Sequence, residues 1–283
     1  MRSPAAATGP IGVFDSGIGG LSVLRALRQE LPDDQFVYIG DAGHAPYGER
    51  DTAHVLARSQ LLANYLCTTH KAKALVLACN TATAAAVASL RERYPQLPIV
   101  GIEPALKPAA TQTASGVVAV MATRSTLASG KFLALLAAQP PSVRFLLQAC
   151  DGLAVAIEQA DRQAIESLCH RYVQALRQNP DGGAQIDTVV LGCTHYALIT
   201  EVLARLWGPQ VALLEAGQPV ARRTRQVLQA AGLLRPAIGA TQQDLAAKPL
   251  LCLSTGDPSF LNQALQDWRI GGPILLASAL HLP

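Results

Sequence analysis

Short unbroken apolar runs alternate along the chain with longer stretches of mixed polarity. Ile11–Phe14, Phe36–Ile39, Ala74–Ala78, Ile99–Gly101, Val117–Met121, Val143–Leu147 and Thr188–Leu191 show no polar alternation. Such runs predict buried strands of a parallel sheet covered on both faces. The stretches between them carry helical periodicity. In Asp161–Leu176, the residues Ile165, Leu168, Tyr172 and Leu176 fall on one face, and Asp161 stands where an N-cap belongs. Strand and helix in alternation predict an α/β architecture.

An internal echo divides the chain. Val76-Leu77-Ala78-Cys79-Asn80-Thr81 lines up with Val190-Leu191-Gly192-Cys193-Thr194-His195. More weakly, Gly12-Val13-Phe14-Asp15-Ser16 lines up with Ala119-Val120-Met121-Ala122-Thr123, in the same order. Two similar α/β domains are expected, each a mostly parallel sheet flanked by helices, with the second starting near Pro104. Ligands of open α/β sheets bind beyond the carboxyl ends of the strands. Cys79 and Cys193 both sit at such ends, each followed by polar residues expected to open a helix. If the domains face each other, the active site lies in the interdomain cleft.

Composition narrows the class. A chain of 283 residues has room for about two domains. Half of it is hydrophobic and only 15% charged, which excludes disorder as the main state. The net charge of +3 is spread without blocks of like charge, so no nucleic acid and no membrane partner is expected. No apolar run reaches the ~18 residues of a spanning helix. Met1–Pro10 reads as a disordered tail without an export signal, which places the protein in the cytoplasm with its thiols reduced. Six cysteines without a CxxC pair give no structural metal spacing, and no metal is expected.

Chemistry concentrates at the strand ends. Asp15-Ser16-Gly17-Ile18-Gly19-Gly20 follows the first strand but matches neither the phosphate-loop nor the dinucleotide pattern. It reads either as an anion-binding helix start or as a plain turn with Asp15 as N-cap. Ala45-Pro46-Tyr47-Gly48 reads as a turn, or as a source of a tyrosine hydroxyl and backbone groups for a ligand. A single buried Cys at a strand end is usually a small hydrophobe. Two in matched contexts, with His195 two residues beyond one of them, point to reactive thiols. Cys67, Cys150, Cys169 and Cys252 lack such surroundings and are assigned to packing. One Cys with one His suits covalent acyl transfer. Two facing thiols suit racemisation, because one removes a proton from a face of a carbon while the other returns one to the opposite face. That chemistry requires no cofactor.

The motifs together resemble those of bacterial glutamate racemases, in the cofactor-independent aspartate/glutamate racemase superfamily. The segments that carry the resemblance are Gly12–Gly20, Pro46-Tyr47-Gly48, Cys79-Asn80-Thr81-Ala82 and Gly192-Cys193-Thr194-His195-Tyr196, in family order over roughly Ile11 to Ala231. The resemblance implies that Cys79 and Cys193 transfer the proton. It implies that Asp15 is the carboxylate beside the first thiol, His195 the imidazole near the second, and Glu158 the acid that orients His195. Asp15, Ser16, Tyr47, Gly48, Asn80, Thr81, Thr123, Thr194 and His195 are the implied substrate-binding residues. The implied substrate is a small molecule, L- or D-glutamate, with D-glutamate supplied to peptidoglycan and a homodimer as the common assembly.

The resemblance also implies a segment after about Glu215 that packs back on the first domain. The expected division is therefore 11–103 with 215–283, and 104–214. The chain departs from the family in Tyr196-Ala197-Leu198, which lacks the usual Pro, and in Glu215-Ala216-Gly217, where Asp-Ser-Gly is usual. Three rival readings stand beside this one: an aspartate or other acidic amino-acid racemase, a Cys-His hydrolase or amidase using Cys193 alone, and a non-catalytic binder of the amino acid. In aspartate racemases of the superfamily the second motif more often reads Gly-Cys-Thr-Glu, so His195 favours glutamate.

Overall fold

The computed structural model describes residues 9–235, 250–268, 270 and 274–282. Residues 1–8 of the expected tail Met1–Pro10, and residues 236–249, lie outside these. Pro10 is already held, its carbonyl accepting from the Lys73 N–H at 2.9 Å. The chain divides into two compact units. One holds residues up to Tyr47, Asp51–Ile102 and Gly217 onward; the other holds Gly48–Arg50 and Glu103–Ala216.

The first unit carries a six-stranded parallel sheet. Its strands are β1 (Ile11–Asp15), β2 (Phe36–Gly40), β3 (Ala74–Leu77), β4 (Ile99–Gly101), β9 (Leu250–Ser254) and β10 (Ile274–Ala279), in the order β10-β9-β2-β1-β3-β4. Helices α1 (Leu21–Glu30), α2 (Thr52–Thr68), α3 (Asn80–Arg93), α10 (Gly217–Ala230) and α11 (Pro258–Asp267) complete it. Phe14, Ile39, Leu75 and Leu77 meet Leu62, Leu66 and Leu90 in a buried cluster. Burial on both sheet faces explains why these strands read as continuous apolar runs.

The second unit carries a four-stranded parallel sheet ordered β6-β5-β7-β8, with β5 at Val117–Ala122, β6 at Arg144–Ala149, β7 at Thr188–Leu191 and β8 at Ala212–Leu214. Its helices are α4 (Leu106–Gln112), α5 (Arg124–Ala128), α6 (Gly130–Ala137), α7 (Leu153–Glu158), α8 (Arg162–Arg177) and α9 (Thr200–Trp207). Val118, Val120 and Val190 pack with Leu106, Ala109 and Phe132. In α8 the Asp161 carboxylate accepts from the Ala164 N–H, so the N-cap and the apolar face expected from sequence are both present.

The sequence echo is a topological one. β2-β1-β3-β4 and β6-β5-β7-β8 follow the same order, and the first unit adds β9 and β10 beyond β2. In each, the chain runs from the central strand to one side and then crosses to the other. The switch points therefore lie between β1 and β3 and between β5 and β7. The ladder continues identically past both strand ends. Ala78 N–H donates to the Phe14 carbonyl at 2.8 Å, and Gly192 N–H donates to the Met121 carbonyl at 2.7 Å. Each cysteine is the next residue.

Two expectations change. β6 spans Arg144–Ala149 rather than Val143–Leu147 and is not a buried strand; it is an edge strand with Leu147 exposed. The two cysteines also do not open equal helices. Cys79 caps the fourteen-residue α3, whereas Cys193 precedes a 3-10 helix, Thr194–Ile199, that leads into α9.

Candidate active site

In the first unit, Asp15 and Cys79 flank the switch point. Asp15 is fully buried, and its Oδ1 accepts from the Gly17 N–H at 2.8 Å and faces the Ser16 hydroxyl at 3.4 Å. Asp15 does not cap α1: that helix starts at Leu21, with Gly20 at its N-cap and no side-chain cap. Nor is the helix start an open anion site, because the Leu21 and Ser22 N–H groups are taken by the Ile18 and Gly19 carbonyls. Gly20 is needed for closeness, since a Cβ there would come within 2.6 Å of the Asp15 Cβ. The Cys79 sulfur accepts from the Ala82 N–H at 3.4 Å and lies 3.8 Å from the Ser16 hydroxyl. A donated N–H at a helix N-terminus favours negative charge on sulfur. Beside it, Asn80 is buried, and its Oδ1 has no hydrogen-bond partner among the described residues. Thr81 is buried as well.

Tyr47 is placed differently from the free hydroxyl that the turn suggested. Its phenol donates to Asp41 Oδ2 at 2.5 Å, and the ring is buried.

In the second unit, Cys193 Sγ is 3.7 Å from His195 Nδ1, and His195 Nε2 is 2.6 Å from Glu158 Oε1. Glu158 is the last residue of α7, so the structure brings it to His195 across 37 residues of sequence. Burial alone would lower the imidazole pKa. The hydrogen bonds to Cys193 and Glu158, with the Glu158 charge, outweigh burial and raise it well above the usual histidine value. Thr194 is buried next to this group. Thr123 follows β5 as Ser16 follows β1. Its hydroxyl caps α5 through the Thr126 N–H and donates to the Thr126 hydroxyl. Gly48 packs against it: a Cβ at Gly48 would come within 2.8 Å of the Thr123 methyl.

None of the six cysteines forms a disulfide. Burial pushes Cys67 up, holds Cys150 well above the usual thiol range, and raises Cys169 and Cys252 to about 12. These four stay protonated near neutrality. Among the described residues, no group of three or more His, Cys, Asp or Glu could hold a metal ion, and no helix is long and apolar enough to cross a membrane.

The family model for Asp/Glu/hydantoin racemases matches residues 11–224. The chain belongs to that racemase family. The glutamate racemase of Ectopseudomonas mendocina is 50% identical over 221 residues, covering 77% of this chain and 82% of the relative. That of Pseudomonas putida W619 is 43% identical over 268 residues, covering 94% and 96%. Among solved structures, glutamate racemase isoform RacE1 from Bacillus anthracis superposes with a TM-score of 0.82 at 28% identity, over 97% of this chain and 98% of the other. Escherichia coli glutamate racemase, in complex with L-glutamate and an activator, gives 0.81 at 29%, over 97% and 100%.

For this racemase, sequence reasoning missed the residues that hold Tyr47. Asp41 is fully buried one residue after β2, and Arg58 pairs with it from α2. The signal was available. Arg58 falls among Val55, Ser59 and Leu62 on the buried face of α2, and a cation there needs a partner.

Proposed function

We propose that the protein is a glutamate racemase that interconverts L- and D-glutamate without a cofactor, with Cys79 and Cys193 acting on opposite faces of Cα. The observation that carries this reading is the repeated placement. Each thiol stands one residue past the same ladder hydrogen bond, at the switch point of a sheet of the same strand order. Family membership and the named relatives support it.

One sulfur, as thiolate, takes the Cα proton. The electron pair left on Cα is delocalised into the substrate carboxylate. The other sulfur, as thiol, delivers a proton to the opposite face and becomes the thiolate. The reverse reaction exchanges the roles. Asp15 and Ser16 serve the Cys79 side, while His195, oriented by Glu158, serves Cys193. Asn80, Thr81, Thr123, Thr194 and the backbone of Tyr47 and Gly48 hold the substrate. The orphaned Asn80 oxygen suits the ammonium group. The enzyme works in the cytoplasm as a homodimer and supplies D-glutamate for peptidoglycan. Each of the two units carries one thiol, Cys79 in the first and Cys193 in the second.

A second reading has a specific observation behind it. Cys193, His195 and Glu158 are spaced as nucleophile, base and orienting acid of a thiol hydrolase. It gives Cys79 no task. Purified protein incubated with L-glutamate, D-glutamate or L-aspartate, without added cofactor, should lose optical rotation with either glutamate enantiomer. The ratio kcat/KM for glutamate should exceed that for aspartate. Hydrolysis without racemisation, unaffected by Cys79→Ser, would establish the second reading.

A further inference from the structure

Asp41 sits at the carboxyl edge of the first sheet, between the ends of two neighbouring strands. Its N–H donates to the Asp15 carbonyl at 2.9 Å, and on the other side the Thr255 N–H donates to the Gly40 carbonyl at 3.1 Å. Asp15, Asp41 and Thr255 thus stand in a row at the ends of β1, β2 and β9. The Asp41 carboxylate, fully buried, accepts four hydrogen bonds. Arg58 gives two, Nε to Oδ2 at 3.1 Å and Nη2 to Oδ1 at 2.9 Å. The Tyr47 phenol gives one to Oδ2 at 2.5 Å, and the Thr255 hydroxyl gives one to Oδ1 at 2.7 Å.

Such a cluster is a poor device for stability alone. Desolvating a buried ion pair offsets most of its attraction, and apolar replacements often do as well. What it supplies is geometry, because a side-on guanidinium and two hydroxyls leave the carboxylate no freedom. The segment fixed by it is Tyr47, whose ring is buried in the same cluster as Cys79. Three of the four members precede the end of the family-model match at residue 224; Thr255 lies beyond it, on the C-terminal strand pair.

We infer that Asp41, Arg58 and Thr255 are positioning residues that lock the Tyr47 turn beside Cys79, so that the C-terminal strand β9 helps to shape the substrate side of this thiol. The inference rests on the proposed racemase reading for its kinetic consequence but not for its geometry.

The test uses Thr255→Val, which keeps volume and removes the hydroxyl, Thr255→Ser, which restores it, and Tyr47→Phe. Two quantities are read beside the Tm: the rate of Cys79 alkylation by iodoacetamide without substrate, mapped by peptide mass, and the kinetics with glutamate. In Thr255→Val and Tyr47→Phe the alkylation rate should change about threefold or more. KM should rise roughly five- to tenfold with kcat nearly kept, as for lost ground-state positioning. Thr255→Ser should return both towards the native values. Native alkylation rates and KM in folded Thr255→Val and Tyr47→Phe would overturn the inference, as would a Thr255→Ser variant that behaves like Thr255→Val. If the native protein fails to racemise glutamate, the functional reading falls, and the alkylation series still decides the positioning.

Discussion

His195 shows how one side chain can carry both stability and chemistry. Its pKa is raised in the folded protein, so its pairing with Glu158 is fully present below the unfolded value of about 6.5 and is lost as pH rises through the higher folded value. The Tm gap between native protein and Glu158→Gln should therefore be widest below about pH 6.5 and narrow as pH rises well above it. A gap independent of pH would mean that the pair does not hold a proton in the fold. The same substitution should lower kcat by roughly one to two orders of magnitude, because the imidazole loses the group that orients it. Asp15→Asn and His195→Asn should slow the L→D and D→L directions unequally, since each serves a different thiol; initial rates from each enantiomer read this directly. Cys79, Cys193 and His195 were legible from sequence because strand-end position and residue type suffice to flag them. The hydroxyl of Tyr47 was not, since its partner Asp41 is set by a third strand end.

At the level of elements, Cys79 has two tasks that substitution can separate. It is the N-cap of α3, through the Ala82 N–H. Ser is a good N-cap residue, whereas Ala loses the bond at a cost of about 1 kcal/mol. Cys79→Ser should thus keep the native Tm while abolishing racemisation, and Cys79→Ala should lower Tm by about 2–4 °C. Loss of activity only where Tm also falls would reduce Cys79 to a structural residue. Asp187 makes a second test. Burial opposes its charge, but hydrogen bonds from the Thr113 and Thr188 hydroxyls and from the Ser115 and Ala114 N–H groups lower its pKa to about 2. The stability it adds is present above the unfolded value of about 3.9 and is lost as pH falls towards 2. The Tm deficit of Asp187→Asn should be full at pH 6 and shrink below pH 4, as followed by thermal unfolding. The long elements were readable because their periodicity is a burial pattern, as in α8. β8, only half-buried, was not read although the equally short β4 was, and β9 and β10 follow a stretch without a clear pattern.

Across the whole molecule, one strand order is used twice and given unequal chemistry. The last residue of β1 is Asp15; its counterpart at the end of β5 is Ala122. The first thiol therefore has a carboxylate and a serine from its own switch point, while the second draws on His195 and on Glu158 from α7. Similar scaffolds with dissimilar partners suit two sulfurs that must hold opposite protonation states at the start of each turnover. The repeat was visible in sequence as paired Cys motifs. The asymmetry was visible at Asp15 and His195, while Glu158 came only through the family resemblance, because its contact with His195 spans intervening elements. The most direct test of the two-thiol account is racemisation of L-glutamate in deuterated water, with Cα labelling of both enantiomers followed from the first turnovers. The account predicts that newly formed D-glutamate carries deuterium at Cα from the outset, while unreacted L-glutamate gains it far more slowly. Equal early labelling of substrate and product would show one base serving both faces and would contradict it.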